Sequence, residues 1–172
     1  MAATQFNLAA GQRAERKTLI TVAEWKEGTT DVREILGTRT EDSSIEYNSE
    51  ITTTTDIRGN NYSDMDRTQP EQTFDPFLIL GGSKLGALLN DIRRRNALSE
   101  LQQFTVYVIT AFVGSTGAYE AERHTNCSIT YDSIGGDVNV NFPITVHFSN
   151  QITTGTVDKL TDDFAFTADA NV

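Results

Sequence analysis

The chain has 172 residues and one cysteine, with 14 basic residues against 24 acidic ones and a net charge of −10. A domain of this length buries a sufficient core without staples, and a lone thiol forms no internal disulfide. Both halves are net acidic, nine basic against fourteen acidic through Gly86 and five against ten after it, which excludes the basic stripe that a stable nucleic-acid binder uses to release counterions.

In chain order, residues 1–17 are polar and rich in small side chains, and read as an arm, disordered or docked on a neighbour. They show no basic start followed by an apolar run, and no stretch of the chain approaches the ~18 apolar residues of a membrane span. The expectation is synthesis and folding in a cytoplasm, with any export by another route such as lysis. The domain proper is expected over residues 18–167, with a loose tail at 168–172. Residues 18–24 (TLITVAE) are β-branched and predict the first strand. A turn is expected at 26–30, and a short strand within 31–40 broken at Gly37.

Residues 45–57 alternate without interruption. Ile45, Tyr47, Ser49, Ile51, Thr53, Thr55 and Ile57 fall on one side of an extended strand. Glu46, Asn48, Glu50, Thr52, Thr54 and Asp56 fall on the other. The first set can meet a core. The second is fully polar, with three carboxylates and no Lys or Arg, so the strand reads as a wall with an acidic wet side. At 15 residues, from Ser44 to Arg58, it exceeds the usual strand of ~5–6. A long exposed strand invites aggregation unless its edges are paired, as a closed ring of identical subunits would pair them. An ordinary sandwich strand with one solvated face is the plainer account.

Gly59-Asn60-Asn61 signals a hairpin turn, and a second extended segment follows over 62–74, interrupted by Pro70. One helix is predicted over Ser83–Asn96. Leu85, Leu88, Leu89 and Ile92 repeat at helical spacing, Ser83 can cap the start, and Arg93, Arg94 and Arg95 occupy the last turn, where the helix dipole favours cations. Residues 104–113 are apolar on both parities, the mark of a strand covered on both sides. After a turn at 114–117, strands are expected at 119–123 and 127–131, and a loop at 133–137. Alternation then resumes through Val138, Val140 and Phe142, and through Ile144, Val146 and Phe148, with Pro143 between. Residues 163–167 can close the sheet. Many strands around one inserted helix predict a mainly β protein, an antiparallel β-sandwich or half-barrel with a flanking helix.

The chemistry-bearing residues are few. His124 and Cys127 lie close, yet nothing completes a tetrahedral metal site, and a strand-end histidine beside a buried thiol accounts for both. Asp64 and Asp66 share one strand face, but a calcium site needs six or more oxygens, so a solvated acidic face is the better reading. Gly81-Gly82-Ser83-Lys84 lacks the spacing of a phosphate loop. The Arg93–Arg95 run either grips a partner's carboxylates or solvates a helix end. No catalytic residues, metal or cofactor are expected.

Four blocks carry a resemblance: Thr68-Gln69-Pro70-Glu71-Gln72-Thr73-Phe74-Asp75-Pro76, Glu100-Leu101-Gln102-Gln103-Phe104-Thr105-Val106-Tyr107, Ser133-Ile134-Gly135-Gly136-Asp137 with Asn141-Phe142-Pro143-Ile144, and Gly155-Thr156-Val157-Asp158. Together they resemble the major tail tube proteins of long-tailed, siphovirus-like bacteriophages of Gram-positive bacteria, over about residues 44–167. The resemblance implies homohexameric rings stacked into a hollow virion tail tube, assembled in the bacterial host cytoplasm. It also implies tail-tip or baseplate initiator, tape-measure and tail terminator proteins as partners, and genomic DNA passing transiently through the lumen during ejection. On that reading Glu46, Asn48, Glu50, Thr52, Thr54 and Asp56 line the lumen, joined by Asp64 and Asp66. Arg93, Arg94, Arg95 and the Asn60 turn, with the arm and the 162–172 tail, are the candidates for contacts between subunits. Two alternatives stay open: a tube protein of a phage-derived bacteriocin or type VI-like injection machine, and a monomeric β-sandwich module binding a receptor or carbohydrate. The second predicts an aromatic-lined concave site, against which the scattered Trp25 and five tyrosines weigh.

Overall fold

A computed structural model describes residues 6–170, apart from the side chains of Asp66 and Arg67. The arm's residues 1–5 and the tail's residues 171–172 lie outside the described residues. The strands are β1 (Leu19–Glu27), β2 (Thr30–Ile35), β3 (Ile45–Glu46), β4 (Glu50–Thr55), β5 (Asn61–Arg67), β6 (Glu71–Phe74), β7 (Phe104–Ser115), β8 (Ala118–Tyr131), β9 (Ile144–His147), β10 (Ile152–Val157) and β11 (Phe166–Ala168). The helix α1 spans Lys84–Arg95. Among the described residues the chain is mainly β, with every strand pairing antiparallel and one flanking α-helix, as the sequence predicts.

Nine strands form one sheet, running β2-β1-β7-β8-β9-β6-β3, with β10 on β8 and β11 on β10. β7 lies inside it and separates two apolar clusters. Phe104, Val106 and Val108 belong to the larger, with Trp25, Phe74, Leu85, Leu89, Ile92, Ile129 and Val146. Tyr107 and Ile109 belong to the smaller, with Val22, Ala121, Val157 and Phe164. This is why residues 104–113 are apolar at both parities. α1 lays Leu85, Leu89 and Ile92, all fully buried, on the larger cluster. Its start is closed from two sides: the Ser83 hydroxyl accepts from Gly86 N at 3.0 Å, and Glu34 of β2 accepts from Leu85 N and from Ser83 Oγ, each at 2.8 Å. Asn96 ends it in a left-handed conformation, φ 55°.

Several sequence expectations are corrected. The 15-residue wall strand is not continuous. It breaks at 47–49, where Asn48 takes φ +42°, leaving β3 in the main sheet and β4 in a separate two-stranded sheet with β5. Only Ile45 of the set expected to meet a core packs against one; Tyr47, Ile51 and Ile57 are exposed. Asp56 lies past the end of β4, in the turn. The 62–74 segment is two strands, β5 and β6, divided ahead of Pro70. The strands expected at 119–123 and 127–131 are one, β8, which pairs β10 over its first half and β9 over its last four residues. Asn126, at φ +58°, marks the change of partner. Val138 and Val140 sit in an exposed loop rather than a strand. β10 had no periodic signal, because Gly155 and three threonines interrupt it.

Candidate functional site

The last turns of β8 with β9, β6 and β3 make a sheet with one dry and one wet face. Cys127, Ile129, Ile144, Val146, Gln72 and Phe74 point into the core. Side chains alternate, so their neighbours face out, and the register aligns them in rows. Ser128 is opposite His147, His147 opposite Glu71, and Glu71 opposite Glu46. In the next row Thr130, Thr145 and Thr73 are opposite one another. The threonine hydroxyls of 73 and 145 are 3.1 Å apart, and Thr130 Oγ1 lies 3.1 Å from His147 Nε2. His147 Nδ1 stands 3.5 Å from Glu71 Oε2. These rows hold no Lys or Arg. Glu46 and Glu71 oppose each other directly, an arrangement that costs stability when both are charged. Asp42 and Asp75 border the same edge, around a shallow depression with Ser43, Ser44 and Thr73.

From the end of this sheet the β4–β5 hairpin projects. Every residue of β4 is exposed. Its register, Ile51↔Met65, Thr52↔Asp64, Thr53↔Ser63, Thr54↔Tyr62 and Thr55↔Asn61, sorts two faces. One carries the apolar pair Ile51 and Met65, 61% and 64% exposed, above the Thr53–Ser63 and Thr55–Asn61 hydroxyl and amide contacts. The other carries Thr52, Thr54, Asp64 and Tyr62. At the tip, Asp56 accepts from Arg58 N, Asn60 N, Asn60 Nδ2 and Tyr62 Oη. The Asn60 amide, first among these, holds the Asp56 carboxyl below its usual 3.8.

The residues singled out from sequence are thus dispersed over two features. Glu46 lies on the wet sheet face. Asn48 sits in the kink, its Nδ2 donating to Gln69 O at 3.3 Å. Glu50, Thr52, Thr54 and Asp64 belong to the hairpin, Asp56 and Asn60 to its tip, and the Asp66 side chain lies outside the described residues. Arg93 donates to Asn90 of its own helix, and Arg94 is exposed. Arg95 is engaged within the chain, by a two-pronged bond to Glu100 at 2.8 Å and by Asp91 at 2.7 Å. Its guanidinium lowers the Glu100 pKa. Sequence reasoning missed Glu71, His147, Thr73, Thr130 and Thr145. The alternation of Thr145 and His147 with Ile144 and Val146 was legible; the pairing of β9 with β6 and β8 that gathers them was not.

His124 and Cys127 are buried and satisfied locally. His124 Nδ1 is 3.2 Å from Ser149 O, and Cys127 Sγ donates to His124 O. Burial raises the Cys127 pKa, which keeps the thiol protonated and inert. Among the described residues no group of three His, Cys, Asp or Glu can hold a metal ion. No described helix is long and apolar enough to cross a membrane.

No family model matches the chain, and no curated protein sequence matches it. Among solved structures it is similar to a chain of the six-fold symmetrised anti-feeding prophage (AFP) baseplate, at 8% identity and TM-score 0.50, covering 86% of this chain and 97% of that one. It is also similar to a chain of the AFP tube-terminating cap, at 16% identity and TM-score 0.48, covering 91% and 99%. A third is a chain of the PVC extracellular contractile injection system sheath–tube complex, at 14% identity and TM-score 0.47, covering 86% and 95%. At 8% identity the likeness to the baseplate chain is one of fold alone.

Proposed function

We propose that the chain is a structural, non-enzymatic subunit that polymerises as stacked homohexameric rings into the hollow tube of a tail or injection apparatus. The observation that carries this reading is the β4–β5 hairpin. A two-stranded ribbon exposed on both faces is marginal in water by itself, and this one displays Ile51, Met65 and Ile57 uncovered. Another copy supplies the missing cover, and repetition of the same contact around an axis closes a ring. The fold shared with a chain of a six-fold symmetrised baseplate supports six copies.

The hairpin's faces divide the work. Ile51 and Met65 turn to the adjacent copy, while Thr52, Thr54 and Asp64, with Glu50 and Asp56, turn to the bore. Glu46, with Asn48 at the kink, continues that lining onto the sheet, where Glu71, Thr73, Thr130 and Thr145 extend it. A hydroxyl and carboxylate wall repels phosphates, and screening confines the field to ~8 Å at physiological salt, so DNA passes without adhering. The Asn60 tip, Arg93 and Arg94 meet the neighbouring ring. A baseplate initiator, a tape measure and a terminator complete the assembly. The chain of like fold belongs to the anti-feeding prophage baseplate, and we favour an apparatus of that kind. The sequence blocks support the competing reading, a siphovirus-like tail tube of a phage of Gram-positive bacteria.

Sedimentation and negative-stain microscopy of the concentrated protein test the proposal. Rings or tubes are expected; compact single subunits under every polymerising condition would refute it. The lining is tested with Glu46→Lys and Glu71→Lys together. Tubes should form as before but retain added DNA, and tubes that stay bare of DNA count against the assignment.

A further inference from the structure

The free end of β7 is already occupied, and by a segment that is barely attached. The ladder of β1 on β7 stops at Leu19↔Thr110, while β7 continues to Ser115. Between Thr110 and Gly114 its pairing with β8 is also irregular. Residues 111–113 therefore present main-chain groups that neither neighbouring strand fully uses. Phe6 and Asn7 fill the place. Phe6 forms an antiparallel bridge with Val113. Asn7 N donates to Phe112 O at 3.0 Å, its Nδ2 donates to Ala111 O at 3.1 Å, and the rings of Phe6 and Phe112 stand 5.9 Å apart. Even so docked, Phe6 remains 65% exposed.

The next anchor is Arg16, whose guanidinium donates to Leu19 O and Ser43 O, each at 2.6 Å. Over residues 8–14 the described hydrogen bonds are internal to the arm, Gln12 N to Ala9 O and Ala9 N to Gln12 Oε1, and Glu15 O accepts from Thr18 N beside the Arg16 anchor. Residues 8–15 are exposed apart from the half-buried Leu8. Extended, eight residues reach about 27 Å, at ~3.4 Å each. Such a linker can carry Phe6 to a second body. Exchange of an identical element forfeits no contact, since the same edge is filled either way, and added-strand pairing at a sheet edge is a general mode of docking.

We propose that residues 111–113 of β7 are an arm-docking edge which, in the assembled tube, receives Phe6 and Asn7 of an adjacent copy instead of its own. The partner is a second copy of this chain, and the exchange rests on the tube reading above. It turns each arm from an internal clasp into a link between subunits, and places the half-exposed Phe6 ring at a junction of two copies.

Phe6→Cys with Val113→Cys tests this. The two residues are a non-hydrogen-bonded antiparallel pair, where Cα atoms come to about 4.5 Å, within disulfide range. The native Cys127 is buried and does not compete. Assembled particles are oxidised, denatured and run without reductant. A ladder of covalent multimers in steps of 19.0 kDa is expected. Assembled particles yielding only single chains, looped or unlinked, overturn the exchange and leave the tube reading intact. Failure of the unsubstituted protein to polymerise strikes the tube reading instead. Asn7→Cys with Phe112→Cys repeats the measurement if the first pair does not fold, with the same two outcomes.

Discussion

At the tip of the β4–β5 hairpin one carboxylate gathers three residues. Asp56 accepts four hydrogen bonds, at 2.8 to 3.1 Å, from Arg58, Asn60 and Tyr62. Its pKa is lowered, first by the Asn60 side chain. A depressed carboxyl pKa stabilises the folded tip above the unfolded value, near 3.8, and that stabilisation is lost as pH falls through the lower folded value. Protection of the Arg58 and Asn60 amides, taken relative to intrinsic exchange, should therefore fall on acidification below about pH 4, and Asp56→Ala should show the low protection already at pH 7. A tip exchanging equally in both proteins at neutral pH would discount the staple. A second residue acts by being small. A Cβ on Gly155 would stand 2.3 Å from Thr167 O, so Gly155→Val should pry β11 from β10 and cost about 1–3 kcal/mol, read by chemical denaturation.

At the scale of elements, α1 is fastened to the sheet through its first turn rather than only through its apolar stripe. Ser83 caps it, and Glu34 reaches from β2 to the Ser83 hydroxyl and the Leu85 amide. Ser83→Ala should cost about 1 kcal/mol. Glu34→Ala should cost a similar ~1–2 kcal/mol by leaving two donors without their acceptor, although Glu34 lies 49 residues away in the chain. Combining both should cost less than the sum, because they serve one network. Strict additivity in thermal denaturation would show that the two act independently.

For the whole molecule, the contrast is between a well-packed body and a hairpin with no cover. Ile51→Asn with Met65→Asn removes apolar surface that no described residue of the subunit buries. The melting temperature should stay within a degree or two, since exposed substitutions change stability by about 0.5 kcal/mol or less. Polymerisation, followed by light scattering, should fall at least tenfold, the equivalent of ~1.4 kcal/mol per contact. A large drop in melting temperature, or unimpaired polymerisation, would show that these side chains serve the subunit and not its neighbour.

The sequence by itself determined what depends on near neighbours in the chain. The α1 span and its cap follow from Leu85, Leu89, Ile92 and Ser83. The doubly covered β7 follows from apolar residues at both parities. The acidity and lack of cations along residues 45–57 need no structure to be seen. Only the tertiary structure decided where that acidic run goes. Alternation establishes that two faces differ, but a kink of one residue at Asn48 sends β4 out of the sheet, and its apolar face away from any core of this chain. Likewise the Glu46–Glu71–His147 row joins residues from three strands, and the Phe6–Val113 bridge joins residues more than a hundred positions apart. Strand partnership is a long-range choice, settled by which edges find each other once the core has closed, and no local pattern encodes it.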